Sequence, residues 1–148
     1  MKIILQRKRP LNPLVSLFMP GMINPSYAQW VRINGPGGGV VTCLAVKGTN
    51  LFAGTSGGGV FLSTNNGTSW TQVNNGLTNT IVTSLAVSGT NIFAGTLGSG
   101  VFLSTDNGTS WTEVNNGLTS TNVSCLAVSG TNLFAGTHGG DVWRWPLS

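Results

Sequence analysis

The sequence predicts an all-β fold, a β-propeller-type array of four-stranded antiparallel blades amounting to about three blade equivalents on a 41-residue repeat. Two observations carry this. The first is self-similarity: Val41-Thr-Cys-Leu-Ala-Val46 returns as Val82-Thr-Ser-Leu-Ala-Val87 and as Val123-Ser-Cys-Leu-Ala-Val128, each copy 41 residues after the last. The second is composition. Charged residues make up 7% of the 148 while glycine numbers 22, and Asn, Ser and Thr are abundant, a mixture that suits turns and strands rather than solvated helices.

The first element is a leader, residues 1–28. Lys2, Arg7, Lys8 and Arg9 precede an apolar stretch from Leu11 to Met22, and a polar end follows in which Ser26 and Ala28 are the small residues a signal peptidase accepts. The leader resembles a secretory signal peptide cleaved before Gln29, so the expected location is secreted, periplasmic or cell-surface. Pro13 and Pro20 interrupt the apolar stretch, and about a dozen apolar residues are too few to cross a bilayer, so no stable membrane span is expected.

Residues 29–148 form the repeat domain. It opens with a strand at 30–34, because Trp30-Val-Arg-Ile-Asn34 matches Trp70-Thr-Gln-Val-Asn74, the fourth strand of the blade at 41–74. Gly35-Pro-Gly-Gly-Gly39 lacks the Lys-Ser/Thr pair of a phosphate loop and reads as the link into that blade. The next blade, 82–115, shows the whole unit. Val82–Val87 is its first strand, Ser88-Gly-Thr-Asn91 a hairpin turn, Ile92–Thr96 its second strand and Leu97-Gly-Ser-Gly100 the next turn. Val101–Thr105 is the third strand, and Asp106-Asn-Gly108 turns into a fourth at Trp111–Val114.

In the first strand of this blade Thr83, Leu85 and Val87 alternate with Val82, Ser84 and Ala86, and neither set is polar enough to face water. Each blade is therefore expected to be covered on both sides, bulky residues of one meeting small residues of the next. The last copy, a partial blade at 123–145, has three strands, for which strand 30–34 is the matching fourth. Closed propellers have roughly four to eight blades, so this chain is expected to form a homo-oligomer, a dimer, or to be part of a longer propeller.

Charge excludes one function class. The net charge of +4 belongs to the leader: beyond it Arg32, Lys47 and Arg144 balance Asp106, Glu113 and Asp141, which leaves no basic stripe to neutralise nucleic-acid phosphates.

The turn between third and fourth strands carries the most specific motif, Ser63-Thr-Asn-Asn-Gly-Thr-Ser-Trp70 and Ser104-Thr-Asp-Asn-Gly-Thr-Ser-Trp111. It resembles the Asp-box, Ser-x-Asp-x-Gly-x-x-Trp, of the bacterial neuraminidase repeat (BNR) propellers, and the resemblance covers residues 29–145. That family includes sialidases and sortilin-type receptors. The resemblance implies a structural role for Ser63, Asn65, Gly67 and Trp70 and for Ser104, Asp106, Gly108 and Trp111. The third residue would close the turn, the glycine would take a conformation others resist, and the Trp would plug the gap between blades. Asn65 departs from the consensus Asp but retains an acceptor oxygen. A calcium site is not expected, since one carboxylate and a few amides fall short of the roughly six to eight oxygens calcium prefers.

Sialidase chemistry does not carry over. It needs an arginine cluster, a tyrosine nucleophile and an acid, whereas the single tyrosine, Tyr27, falls in the leader and only Arg32 and Arg144 lie beyond it. Paired carboxylates are as poorly supported, with Asp106 committed to a turn and Glu113 and Asp141 on different strands. His138-Gly-Gly-Asp141 aligns with a hairpin turn, and one His with two distant thiols makes no zinc site. No catalytic residue, metal or cofactor is expected. Trp143 and Trp145 share one face of the last strand, Trp143 as core and Trp145 as the candidate ligand contact. Cys43 and Cys125, in equivalent positions two blades apart, are expected not to pair within a chain. Two functional readings result: a noncatalytic exported binding or scaffolding module for a protein or glycan, or a fragment of a larger Asp-box protein, such as a glycoside hydrolase, with its active site elsewhere.

Overall fold

A computed structural model describes residues 28–148. The leader expected at 1–28 lies outside the described residues except for Ala28, so neither its cleavage nor Tyr27 has a structural account. The chain divides into two compact units, residues 1–32 and 33–148. Of the first, Ala28–Arg32 are exposed and without regular structure. No helix among the described residues is long and apolar enough to cross a membrane.

The second unit is all strand and turn. Blade 1 comprises β1 (Val41–Lys47), β2 (Asn50–Thr55), β3 (Gly59–Ser63) and β4 (Thr71–Gln72), and blade 2 comprises β5 (Val82–Ser88), β6 (Asn91–Thr96), β7 (Gly100–Ser104) and β8 (Thr112–Glu113). Blade 3 has β9 (Val123–Ser129), β10 (Asn132–Thr137) and β11 (Val142–Pro146). Each is an antiparallel sheet in chain order, of four, four and three strands. The expected strand at 30–34 is not formed, and among the described residues β11 pairs only with β10. The reason is topological: Ile33 and Asn34 lie against the β3–β4 turn of blade 1, while the edge they match in sequence belongs to blade 3.

The blades stack in chain order, and the stacking is bulky on small as the alternation requires. Leu85 and Val87 join Cys43 and Ala45 in the core between blades 1 and 2, and Leu126 and Val128 join Ala86 in the core between blades 2 and 3. Phe52, Val60 and Trp111 anchor the first core; Phe93, Val123 and Leu133 anchor the second. Sheets approach so closely that a Cβ on Gly54 would sit 2.7 Å from Val82 Cγ1, and one on Gly95 2.7 Å from Val123 Cγ1. That contact is why the repeated Phe-Ala-Gly-Thr strand carries glycine in its middle.

Thr83 corrects the strict alternation. A register shift between Val82 and Ser84 turns its side chain toward the following blade, where Thr83 Oγ1 lies 2.7 Å from the Val123 carbonyl and 3.0 Å from that of Gly95. Thr42 does the same one repeat earlier, 2.6 Å from the Val82 carbonyl.

Candidate functional site

The turns between third and fourth strands, at Ser63–Trp70 and Ser104–Trp111, are both closed by their own side chains. In blade 1 Ser63 Oγ donates to Asn65 Oδ1 (2.9 Å) and accepts from Gly67 N (2.8 Å), and Asn65 Oδ1 also accepts from Ser69 N at 2.9 Å. In blade 2 Ser104 Oγ donates to Asp106 Oδ1 (2.8 Å) and accepts from Gly108 N (2.8 Å), while Ser110 N reaches Asp106 Oδ1 at 2.8 Å. One bond reverses: Asn65 Nδ2 donates to Ser69 Oγ, whereas Ser110 Oγ donates to Asp106 Oδ2. A serine hydroxyl donates or accepts as needed, so Asn and Asp close the same turn. Bonds from the Ser110 hydroxyl and amide, and from Ser104, hold the Asp106 carboxyl below its ordinary range.

The turns also need left-handed backbone. Asn66 and Gly67 have φ of 54° and 81°, and Asn107 and Gly108 have 58° and 83°. A Cβ on Gly67 would meet Ile33, and one on Gly108 would meet Val73, so each turn presses on the chain that precedes its blade. Trp111 then bridges the blades: it is 4% exposed, its N donates to Asn75 O at 2.8 Å and its Nε1 to Val73 O at 2.7 Å. Trp70 is half-buried, and its Nε1 donates to Asn34 O at 3.0 Å. Ile33 thus meets Gly67 as Val73 meets Gly108, while the indole acceptor shifts by one residue, to Asn34 rather than Ile33.

An asparagine clamp joins the third and fourth strands, a feature not apparent from the motifs alone. Asn74 Oδ1 accepts from Val60 N (2.8 Å) and its Nδ2 donates to Gly58 O (2.7 Å); Asn115 repeats this with Val101 N (2.7 Å) and Ser99 O (2.9 Å). The recurrence of Gly59 with Asn74 as Gly100 with Asn115, at the repeat period, is the signal that could have revealed it.

His138 and Asp141 lie on the exposed β10–β11 turn, where their backbones bond to Asn122 O and Thr137 N. Glu113 is exposed on β8. Among the described residues no three His, Cys, Asp or Glu side chains gather. Trp143 and Trp145 both pack partly buried against the blade 2–blade 3 core, and Trp143 Nε1 donates to Thr137 Oγ1 at 3.1 Å. Together with Val114, Gly117, Leu118 and Leu133 they line a half-open, mainly apolar groove of about 150 Å³. The open edge of β11 runs alongside it.

The DUF6242 beta propeller domain matches residues 23–141. Among solved structures, an ancestral GH74 enzyme superposes with a TM-score of 0.59 at 26% identity, over 75% of this chain and 15% of that one. This chain thus spans a small part of that protein's length. The computationally designed Ika4 protein is 12% identical with a TM-score of 0.46, over 82% of this chain and 100% of its own. The designed Ika8 protein is 12% identical with a TM-score of 0.42, over 79% and 48% respectively. No curated protein sequence matches.

Proposed function

Because the chain belongs to the DUF6242 beta propeller family, we propose that it is a noncatalytic propeller module that acts outside the cytoplasm by binding or scaffolding a partner. The observation that supports this best is the fate of Asp106. It is the only carboxylate within the two Asp-box motifs, and both its oxygens are engaged by Ser104 and Ser110 inside the turn. A carboxylate held this way is ionised and already satisfied, which suits a structural lock and not a general acid or nucleophile.

The groove beside Trp145 is the partner site in this reading. An apolar trough next to a strand edge with free backbone groups suits an extended polypeptide, whose main chain pairs with the edge while a side chain enters the trough. A glycan stacked on Trp145 is the other ligand class. The test assays the full chain on a panel of chromogenic glycosides. No turnover above the blank is expected, and turnover that falls in Glu113→Gln or Asp141→Asn overturns the noncatalytic reading. Glycan-array binding that disappears in Trp145→Ala would assign a glycan to the groove.

A second reading has one observation in its favour, the 26% identity to a GH74 enzyme of which the match covers 15%. In it, this chain is a segment of a larger glycoside hydrolase with its active site elsewhere. Coding sequence beyond Ser148 with further 41-residue copies would establish it.

A further inference from the structure

We propose that the groove and the open edge of β11 receive the segment Trp30–Asn34 of a second copy of this chain, so that two copies close head to tail into one ring of blades. The proposal rests on the reading of the groove as a polypeptide site and names its occupant.

The repeat register assigns the occupant. Between blades 1 and 2, Trp111 is buried with Val60, Val73, Leu77, Ile92 and Phe102, and a Cβ on Gly76 would strike the Trp111 carbonyl. The residues 41 further on, Val101, Val114, Leu118, Leu133 and Trp143, are the walls of the groove between blades 2 and 3. There a Cβ on Gly117, the counterpart of Gly76, would have nothing within 4 Å. The groove is the seat of an indole, and its volume of about 150 Å³ is one that holds an aromatic ring in an apolar cavity. The tryptophan that matches Trp70 and Trp111 in sequence is Trp30, which is fully exposed. Seated as Trp111 is, Trp30 donates through Nε1 to Val114 O, Arg32 lies opposite Trp143, and Val31 lies opposite Arg144, as Gln72 lies opposite Phe61 and Thr71 opposite Leu62.

Chain length points to a second copy as the source of the occupant, Trp30. Ile33 is fixed at blade 1, three residues of extended chain span about 10 Å, and the groove lies two sheet spacings of about 10 Å away. A second copy supplies it, and the end faces agree. Gly136, the counterpart of Gly54 and Gly95, has only Cys125 nearby, where those two glycines meet Val82 and Val123. The matching residue is Val41, 41% exposed while Val82 and Val123 are fully buried. Next to it Leu44 and Val46 are exposed on blade 1, and the small Cys125 and Ala127 are exposed on blade 3, the same bulky-on-small pairing that joins the blades within one chain. The match is not complete: Trp145 and Arg144 stand where the inner blades have Ser63 and Leu62 or Ser104 and Leu103, and both line the groove. Asp141 stands where the clamp has Gly59 and Gly100, whose added Cβ would strike the Asn amide, so Trp30 and the strand edge hold the segment without the Asn34 clamp.

The test uses the full chain at micromolar concentration in size exclusion with light scattering. The wild type is expected at twice the mass of one chain, and Trp30→Ala at the mass of one. A Val31→Cys/Arg144→Cys variant, with Cys43 and Cys125 changed to Ser as Ser84 already is in the second repeat, is expected to crosslink on oxidation between chains only, since opposed Cα atoms in an antiparallel pair meet disulfide geometry. A wild type of any other mass, a Trp30→Ala dimer, or a crosslink confined to one chain overturns the proposal. A monomer leaves the noncatalytic module reading, which the hydrolysis assay tests, standing by itself.

Discussion

The indole Nε1 of Trp111 donates to the carbonyl of Val73, 2.7 Å away in the preceding blade, and this joins a turn motif to a blade contact. Trp111 is fixed at the end of the turn that Ser104 and Asp106 close, so closing the turn aims the ring at its neighbour.

The expected consequence is a graded loss on substitution. Trp111→Phe keeps most of the apolar burial but loses the indole bond and leaves the Val73 carbonyl unpaired, a cost of about 1–3 kcal/mol. Trp111→Ala adds a cavity and should cost about 3–5 kcal/mol. Urea denaturation of both variants against the wild type measures the gradation; equal losses would mean that the ring's volume contributes nothing.

Asp106 and Asn65 provide a natural comparison. Asp106→Asn should leave stability near neutral pH almost unchanged, because Asn65 closes the same turn, whereas Asp106→Ala leaves Ser104, Ser110 and the Ser110 amide without their acceptor. The pH dependence has a definite sign. The folded carboxyl is held below its ordinary value, so its contribution is present above the unfolded value and is lost as pH falls through the folded one. Acid titration of stability should therefore be shallower for Asp106→Asn than for the wild type.

The blades were legible because the same unit is written repeatedly, and agreement between Leu85 and Leu126 or between Gly54 and Gly95 is stronger than any propensity. The position of the turns between third and fourth strands was legible for the same reason. Thr83 was misplaced because strand alternation assumes a regular ladder, and the bulge at Val82/Ser84 is a property of the paired backbone. The groove was not legible, since it depends on how blades 2 and 3 pack around Leu118, Leu133 and Trp143. Trp145 was picked out for its departure from Ser63 and Ser104, and that departure is what makes it a groove wall.

Cys43 and Cys125 are both free thiols, and they differ in environment: Cys43 is partly buried beside Gly54, while Cys125 is exposed on the last blade. Burial pushes the Cys43 thiol up, offset in part by bonds from Thr42 and Gly54. In a Cys125→Ser variant, thiol labelling of Cys43 should require higher pH than a free cysteine does. Its stabilising contribution is complete below the unfolded value and is lost as pH rises through the folded one. Non-reducing digestion of the wild type should recover no disulfide within a chain; one linking Cys43 to Cys125 would contradict the blade stacking.

Ser84 occupies the position that Cys43 and Cys125 occupy in the other repeats, and it is the poorest fit of the three. Its hydroxyl is buried with no hydrogen-bond partner among the described residues, beside Gly95 where Val123 of blade 3 also packs. An unmet buried hydroxyl costs about 1–3 kcal/mol, and a thiol is a weak donor that tolerates apolar surroundings. The pocket is already sized for sulfur, because Cys43 sits against Gly54 in the same contact one repeat earlier. Ser84→Cys is therefore expected to raise stability by about 1 kcal/mol, and Ser84→Ala to gain less because it leaves part of the volume unfilled. Denaturant midpoints at unchanged slope would measure this. A loss of stability in Ser84→Cys would mean that the hydroxyl has an acceptor in solution, an ordered water between blades 2 and 3 being the first to look for.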